Sequence, residues 1–157
     1  MRVYRIEREK YLKSTLQGIG ASLSKGFRWN SLNTCMVYAA ESRALAMLEI
    51  AVHLDISEDL PNDRYLVTID IPDNIQILEL DQKKLPKDWN RKPPMRSTQI
   101  IGDHFIQSNQ SAILKVPSSI ISEEFNFLIN PKHFDIKKIK VISKKKIQID
   151  QRLKFSI

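Results

Sequence analysis

The sequence is poor in cysteine, glycine and long apolar runs, and each shortage excludes a class of protein. A single cysteine, Cys35, stands among 157 residues, so no internal disulfide can form and no zinc site can be built from cysteines. Cys35 reads as a small buried hydrophobe in a chain suited to a reducing cytoplasm. No apolar stretch is long enough to span a bilayer, and the opening Met1-Arg2-Val3-Tyr4-Arg5-Ile6-Glu7-Arg8 is charged throughout, without the apolar core of a signal peptide. The expectation is a soluble, unprocessed, cytoplasmic protein. Glycine occurs four times, and the loop holding Gly18, Gly20 and Gly26 fails the dinucleotide fingerprint because its third glycine comes too late. Walker A, His-Glu-x-x-His and Gly-x-Ser-x-Gly patterns are all missing.

What is present is enough for one real core. The 42% hydrophobic content and the length fit a single domain spanning 1–157, and neither a repeat nor a Gly/Ser linker divides it. The formal charge of +7 favours an acidic or polyanionic partner without choosing one. Its densest cluster, Lys137 to Lys146, interleaves with apolar residues as a strand with a solvated face does; a binding surface is the alternative.

Residues 3–6 read as a first strand, followed by a polar helical stretch and the glycine-bearing loop. A short strand at 36–39 precedes the clearest helix, 41–54, rich in Ala and Leu and free of Gly and Pro. Segments 64–71 and 74–80 are strand-like, and the Pro72-Asp73 turn between them suggests neighbours in the sheet. A proline-punctuated loop surrounds Trp89, a second helix is expected over 95–108, and strands at 112–116, 125–129 and 146–150 complete the pattern. One early helix among many short strands favours an α+β domain with short mixed strands and a few helices over a doubly wound parallel sheet.

Glu49 is the informative anomaly. Ala46, Met47 and Leu48 precede it and Ile50, Ala51 and Val52 follow, so any helix face it occupies is largely apolar. A carboxylate there needs a cation or a hydrogen-bonding partner. A core ion pair and a functional carboxylate both satisfy that demand. His53, one turn on, fits a packed helix-terminal histidine, with a contact near the site as the alternative. Arg28, beside Gly26, can meet phosphate oxygens bidentately or lie over Trp29 as a surface residue. Tyr38 ends a short strand, where it serves either the core or a ligand through its ring and hydroxyl. Ser118, in Val116-Pro117-Ser118-Ser119, fits turn hydrogen bonding or a substrate contact.

Together these segments resemble the RES family, toxins of bacterial toxin–antitoxin pairs named for characteristic Arg, Glu and Ser residues. The resemblance is carried by Tyr4-Arg5-Ile6, Gly18-Ile19-Gly20-Ala21, Gly26-Phe27-Arg28-Trp29-Asn30-Ser31, Val37-Tyr38-Ala39-Ala40-Glu41-Ser42 and Leu48-Glu49. Val52-His53-Leu54, Trp89, Gly102-Asp103, Val116-Pro117-Ser118, Asn130-Pro131-Lys132-His133 and Asp150-Gln151-Arg152-Leu153 continue it nearly to the end. Phe27 and Leu32-Asn33 depart from the family's usual glycine and Pro-Gly. The resemblance implies a fold similar to ADP-ribosyltransferase toxins, and cleavage of NAD between nicotinamide and ribose by hydrolysis or phosphorolysis. NAD is then a substrate, inorganic phosphate a candidate co-substrate, and no cofactor or metal is needed; transfer of ADP-ribose to a protein is the rival reaction. The implied roles are catalysis by Glu49, Arg28 and Tyr38, with Arg28, Tyr38, Ser118 and His53 binding substrate. The implied partner is an Xre-type helix-turn-helix antitoxin, with a homodimer as a further option. A basic nucleic-acid-binding domain is the reading from another class, and it leaves Glu49 unexplained.

Overall fold

In the computed structural model, residues 1–23, 26–55 and 58–153 are described. Short runs rich in apolar, β-branched and aromatic residues build most of seven strands: β1 (Arg2–Arg8), β2 (Val37–Ala40), β3 (Arg64–Asp70), β4 (Ile77–Glu79), β5 (Ile113–Pro117), β6 (Phe125–Ile129) and the lysine-rich β7 (Lys140–Lys146). They form one mixed sheet in the order β4-β5-β6-β2-β1-β3-β7, antiparallel except for the β4/β5 pair. The helices are α1 (Ile19–Ser22), α2 (Arg43–Ala51) and α3 (Arg96–Ser108), and residues 9–17 form a 3₁₀ segment after β1. The expected α+β domain is what forms.

Period-two alternation divides the side chains between two faces. Val3, Val37, Val67, Ile69, Ile113 and Ile129, all with no exposed surface, fill one face, with Leu12 and Leu16 of the 3₁₀ segment packed on them. Leu114, Val116 and Leu128 pack on the other face with Trp29, Phe105 and Ile106, while Ile6 and Ala40 meet Leu45 and Ala46 of α2. The register Tyr38↔Leu128 and Ala40↔Asn126 places Tyr38 and Asn126 on this second face. Among the described residues, no helix is long and apolar enough to cross a membrane.

Three sequence expectations need correction. Strands β3 and β4 are not neighbours: β3 lies between β1 and β7, and β4 forms the opposite edge. The Pro72-Asp73 turn does not close a hairpin, because residues 71–75 carry the chain under the sheet, with Ile71 and Ile75 buried in its core. The last strand is Lys140–Lys146 rather than 146–150. Its partner β3 starts at Arg64, whose carbonyl accepts the Ile147 N–H at 3.1 Å, and beyond that point no ladder is available. Finally, α2 is shorter than 41–54. Glu41 lies between β2 and the helix, its N–H donating to the Phe125 carbonyl of β6, and the Ser42 side chain caps the helix by accepting from Leu45 N–H at 3.0 Å. The turn Ile50 to His53 closes the other end, so His53 lies just past the helix.

Candidate active site

Helix α2 lies across β1 and β2 with Leu45 and Ala46 buried beneath it. The next turn therefore carries Glu49 over the sheet beside Asn126 of β6. Glu49 is half-buried, and its requirement for partners is met by hydrogen bonds rather than by an ion pair. Its Oε1 accepts from Asn126 Nδ2 at 2.7 Å and from Ser118 Oγ at 2.9 Å. Donors to a charged group are each worth about 1.5–3 kcal/mol. Ser118 is 1% exposed, and its Oγ also accepts the N–H groups of Ile120 and Ile121 at 3.1 and 3.2 Å. With its acceptor capacity used by this turn, the hydroxyl proton is directed at Glu49. Ser118 thus makes the expected turn hydrogen bonds and also touches the Glu49 carboxylate, while it is itself covered.

Arg28 comes from the loop between α1 and β2. The backbone of that loop is clamped by α3: Gln99 Nε2 donates to the Phe27 carbonyl, and Asp103 accepts from Ser31 N–H at 3.0 Å and Ser31 Oγ at 2.6 Å. Helix and loop approach so closely that a Cβ on Gly102 would lie 1.6 Å from the Trp29 carbonyl oxygen. Gly26 turns the chain into this loop with φ 102°, a left-handed conformation that favours glycine. Ser24 and Lys25 of the glycine-bearing loop lie outside the described residues. From this support Arg28 Nη1 donates to the carbonyls of Trp89 (2.7 Å) and Arg91 (3.1 Å), and its guanidinium lies over the Trp89 ring, not over Trp29. Trp29 is buried beneath, its ring 5.9 Å from that of Trp89. Burial draws the Arg28 pKa below its ordinary value, with Glu49 and then Tyr38 opposing the shift; the group remains a cation.

Tyr38 ties these parts together. Its hydroxyl donates to Asn30 Oδ1 at 2.6 Å and accepts the Trp29 N–H at 3.2 Å, while the fully buried Asn30 donates to the Ala21 carbonyl. Burial pushes the Tyr38 phenol well above its ordinary pKa, keeping it a neutral donor. The hydroxyl is therefore engaged within the protein. His53 is exposed; its imidazole titrates below the ordinary value, lowered by partial burial, then Lys92, with Glu49 opposing and Arg28 adding to the fall.

Two cavities meet at this constellation. One of about 630 Å³ runs past Arg28, Lys92 and Ser119, and one of about 350 Å³ runs past Tyr4, Tyr11 and Arg64. Both are the size of small-molecule sites. Phe27, Tyr38, Glu49, His53 and Asn126 line both. Arg28, Tyr38, Glu49 and His53 are thus brought together, whereas Ser118 stands behind Glu49. Asn126 escapes a reading of the sequence: an asparagine inside a short strand carries no local mark of its partner 77 residues away. Only its low strand propensity sets it apart. Among the described residues no group of three or more His, Cys, Asp or Glu side chains can hold a metal ion.

The RES domain family model matches residues 2–156. The chain belongs to the RES family. Among its RES relatives, "Prs ADP-ribosylating toxin" from Sphingobium sp. (strain YBL2) is 43% identical over 145 residues, 91% of this chain and 89% of that protein. "Toxin Res" from Photorhabdus laumondii is 40% identical, with 98% of this chain and 97% of the relative covered. "Toxin Res" from Yersinia enterocolitica is 38% identical over 85% of this chain and 86% of that protein. The RES fold is also similar to a chain in the crystal structure of the M. tuberculosis MbcT–MbcA toxin–antitoxin complex, with a TM-score of 0.75 and 18% identity over 98% of this chain and 88% of that one.

Proposed function

We propose that this RES protein cleaves NAD at the bond between nicotinamide and ribose, and that it is the toxin of a bacterial toxin–antitoxin pair. The observation that carries the reading is a single hydrogen-bonded carboxylate, Glu49, at the junction of two cavities, with the Arg28 cation close enough to act on it electrostatically. Nicotinamide in NAD is already a cationic leaving group, so it departs without a general acid and takes the electron pair of the glycosidic bond with it. One carboxylate suffices where ordinary glycosidases use two. Positive charge grows on the ribose as the bond breaks, and the Glu49 carboxylate stabilises it in a partly desolvated cleft. Arg28, held by its Nη1, presents the rest of its guanidinium to the pyrophosphate, and the Tyr38 ring packs against the nicotinamide or ribose.

The ADP-ribosyl group then goes to water or phosphate. A second reading, transfer to a protein acceptor, is favoured by the name of the Sphingobium relative. The toxin assignment draws support from the relatives named Toxin Res and from the toxin–antitoxin complex that shares the fold. An enzyme that destroys NAD acts in the cytoplasm and needs restraint there, so an antitoxin, of the Xre helix-turn-helix type, is the proposed partner. Purified protein incubated with NAD, alone, with phosphate and with the protein Prs, tests these readings when the products are resolved by mass. Free ADP-ribose, its 1-phosphate or a mass gain on the protein identifies the acceptor; unchanged NAD in all three arms contradicts the proposal.

A further inference from the structure

Both donors to Glu49 converge on the same oxygen. Asn126 Nδ2 and Ser118 Oγ meet Oε1 at 2.7 and 2.9 Å, and among the described residues no hydrogen bond reaches Oε2. A carboxylate oxygen has room for about two strong donors, so Oε1 is saturated. The two donors are themselves fixed. Asn126 is locked into β6 between Ala40 of β2 and Val116 of β5, and Ser118 is tied to its own turn by Ile120 and Ile121. The helix carrying Glu49 is thereby fastened to the sheet through one oxygen, in a side chain that lines both cavities.

We infer that Asn126 is a positioning residue which, with Ser118, anchors Glu49 through Oε1 and reserves Oε2 for the substrate. This rests on Glu49 being the reacting carboxylate. The division of labour explains an asparagine at a strand position that otherwise favours β-branched or aromatic residues. It also explains why Ser118 is covered: it acts on the substrate only through Glu49. Without Asn126 the carboxylate rotates about its last torsion, and Oε2 loses its fixed place relative to the ribose.

Substitution by Ala and by Asp separates this role from simple packing. Asn126→Asp keeps the shape but replaces a donor by a second carboxylate against Oε1, so it is expected to be the worse of the two. Asn126→Ala is expected to lower kcat for nicotinamide release by roughly 10²-fold with KM little changed. In a Glu49→Ala background, Asn126→Ala should cost nothing further, because both changes remove one function. A side chain that merely fills space gives the opposite order, with Asp better tolerated than Ala, and an additive cycle; either result overturns the inference. The side-chain amide resonances of Asn126 provide a readout that needs no turnover. They are expected to shift on Glu49→Ala and to stay in place on the remote Lys145→Gln. No shift overturns the inference, whereas a shift in a protein that releases no nicotinamide overturns the NAD reading and leaves the anchoring of Glu49 standing.

Discussion

Two charged regions of this molecule behave in opposite ways. At β7 the charge is abundant and exposed: Lys140, Lys144, Lys145 and Lys146 lie exposed along the sheet edge, with Lys137 exposed in the 3₁₀ segment before it and Lys138 there paired with Asp135. At the cleft the central charges are restrained: Glu49 is held by two donors, Arg28 by two carbonyls, and the buried Glu7 carboxylate by Arg5 at 2.7 Å. Lysines on an edge strand discourage pairing with other chains and cost nothing in desolvation. A half-buried Glu49 requires partners from the sheet, and a half-buried Arg28 requires a loop clamped by α3. At the cleft the fold commits neutral donors and acceptors to hold Glu49 and Arg28 in place; at the edge it leaves most of the lysines in water.

Substitutions on each side sharpen that contrast. The largest loss is expected from Glu49→Ala, which should reduce nicotinamide release by roughly 10³-fold or more while circular dichroism remains native-like. Arg28→Lys comes next. A compact ammonium cannot hold two carbonyls and present a planar fork at once, so kcat/KM for NAD should fall by about 10²-fold. Gly102→Ala strikes the clamp instead of the charge: a methyl group at 1.6 Å from the Trp29 carbonyl forces α3 and the loop apart, and thermal melts should show a loss of about 3 kcal/mol. Tyr38→Phe leaves Asn30 Oδ1 and the Trp29 N–H short of a partner, costing about 1–3 kcal/mol of stability. Because the hydroxyl is engaged internally, turnover should change far less than with Glu49→Ala or Arg28→Lys. The smallest effect belongs to β7, where replacing Lys144, Lys145 and Lys146 together by Gln should alter stability by less than about 0.5 kcal/mol and leave NAD cleavage unchanged. Salt-dependent nucleic-acid binding at physiological ionic strength that vanished in this triple variant would give the edge a function and break the comparison.

The sequence shows some parts of this arrangement better than others. Glu49 stands out because a run of apolar helix residues gives a carboxylate no reason to be there, and the structure supplies the hydrogen-bond partners that such a residue demands. Strands β1, β2 and β6 coincide with short runs rich in β-branched, aromatic and other apolar residues, and α3 with a helix-periodic stretch, so they are recognisable from short windows. The partners of the site residues are a different matter. Arg28 reaches Trp89 across 61 positions, Asn126 reaches Glu49 across 77, and nothing in either window encodes the meeting. Sheet order is hidden for the same reason. A turn signal at Pro72-Asp73 looks the same whether the chain folds back at once or crosses beneath the sheet to become β4. The family resemblance supplies Arg28 and Tyr38 by spacing, but it does not disclose that the Tyr38 hydroxyl is spent on Asn30 and Trp29.

The most direct measurement is to incubate the wild-type protein and its Glu49→Gln variant with NAD and follow nicotinamide by mass. Gln keeps the shape of the side chain and an oxygen for Ser118 and Asn126, while it removes the charge and turns the free oxygen into an NH2 donor. Nicotinamide released by the wild type, and none by a folded variant that still binds NAD, is the predicted result. A native-like Glu49→Gln protein consuming NAD at the wild-type rate would contradict the role given to the carboxylate.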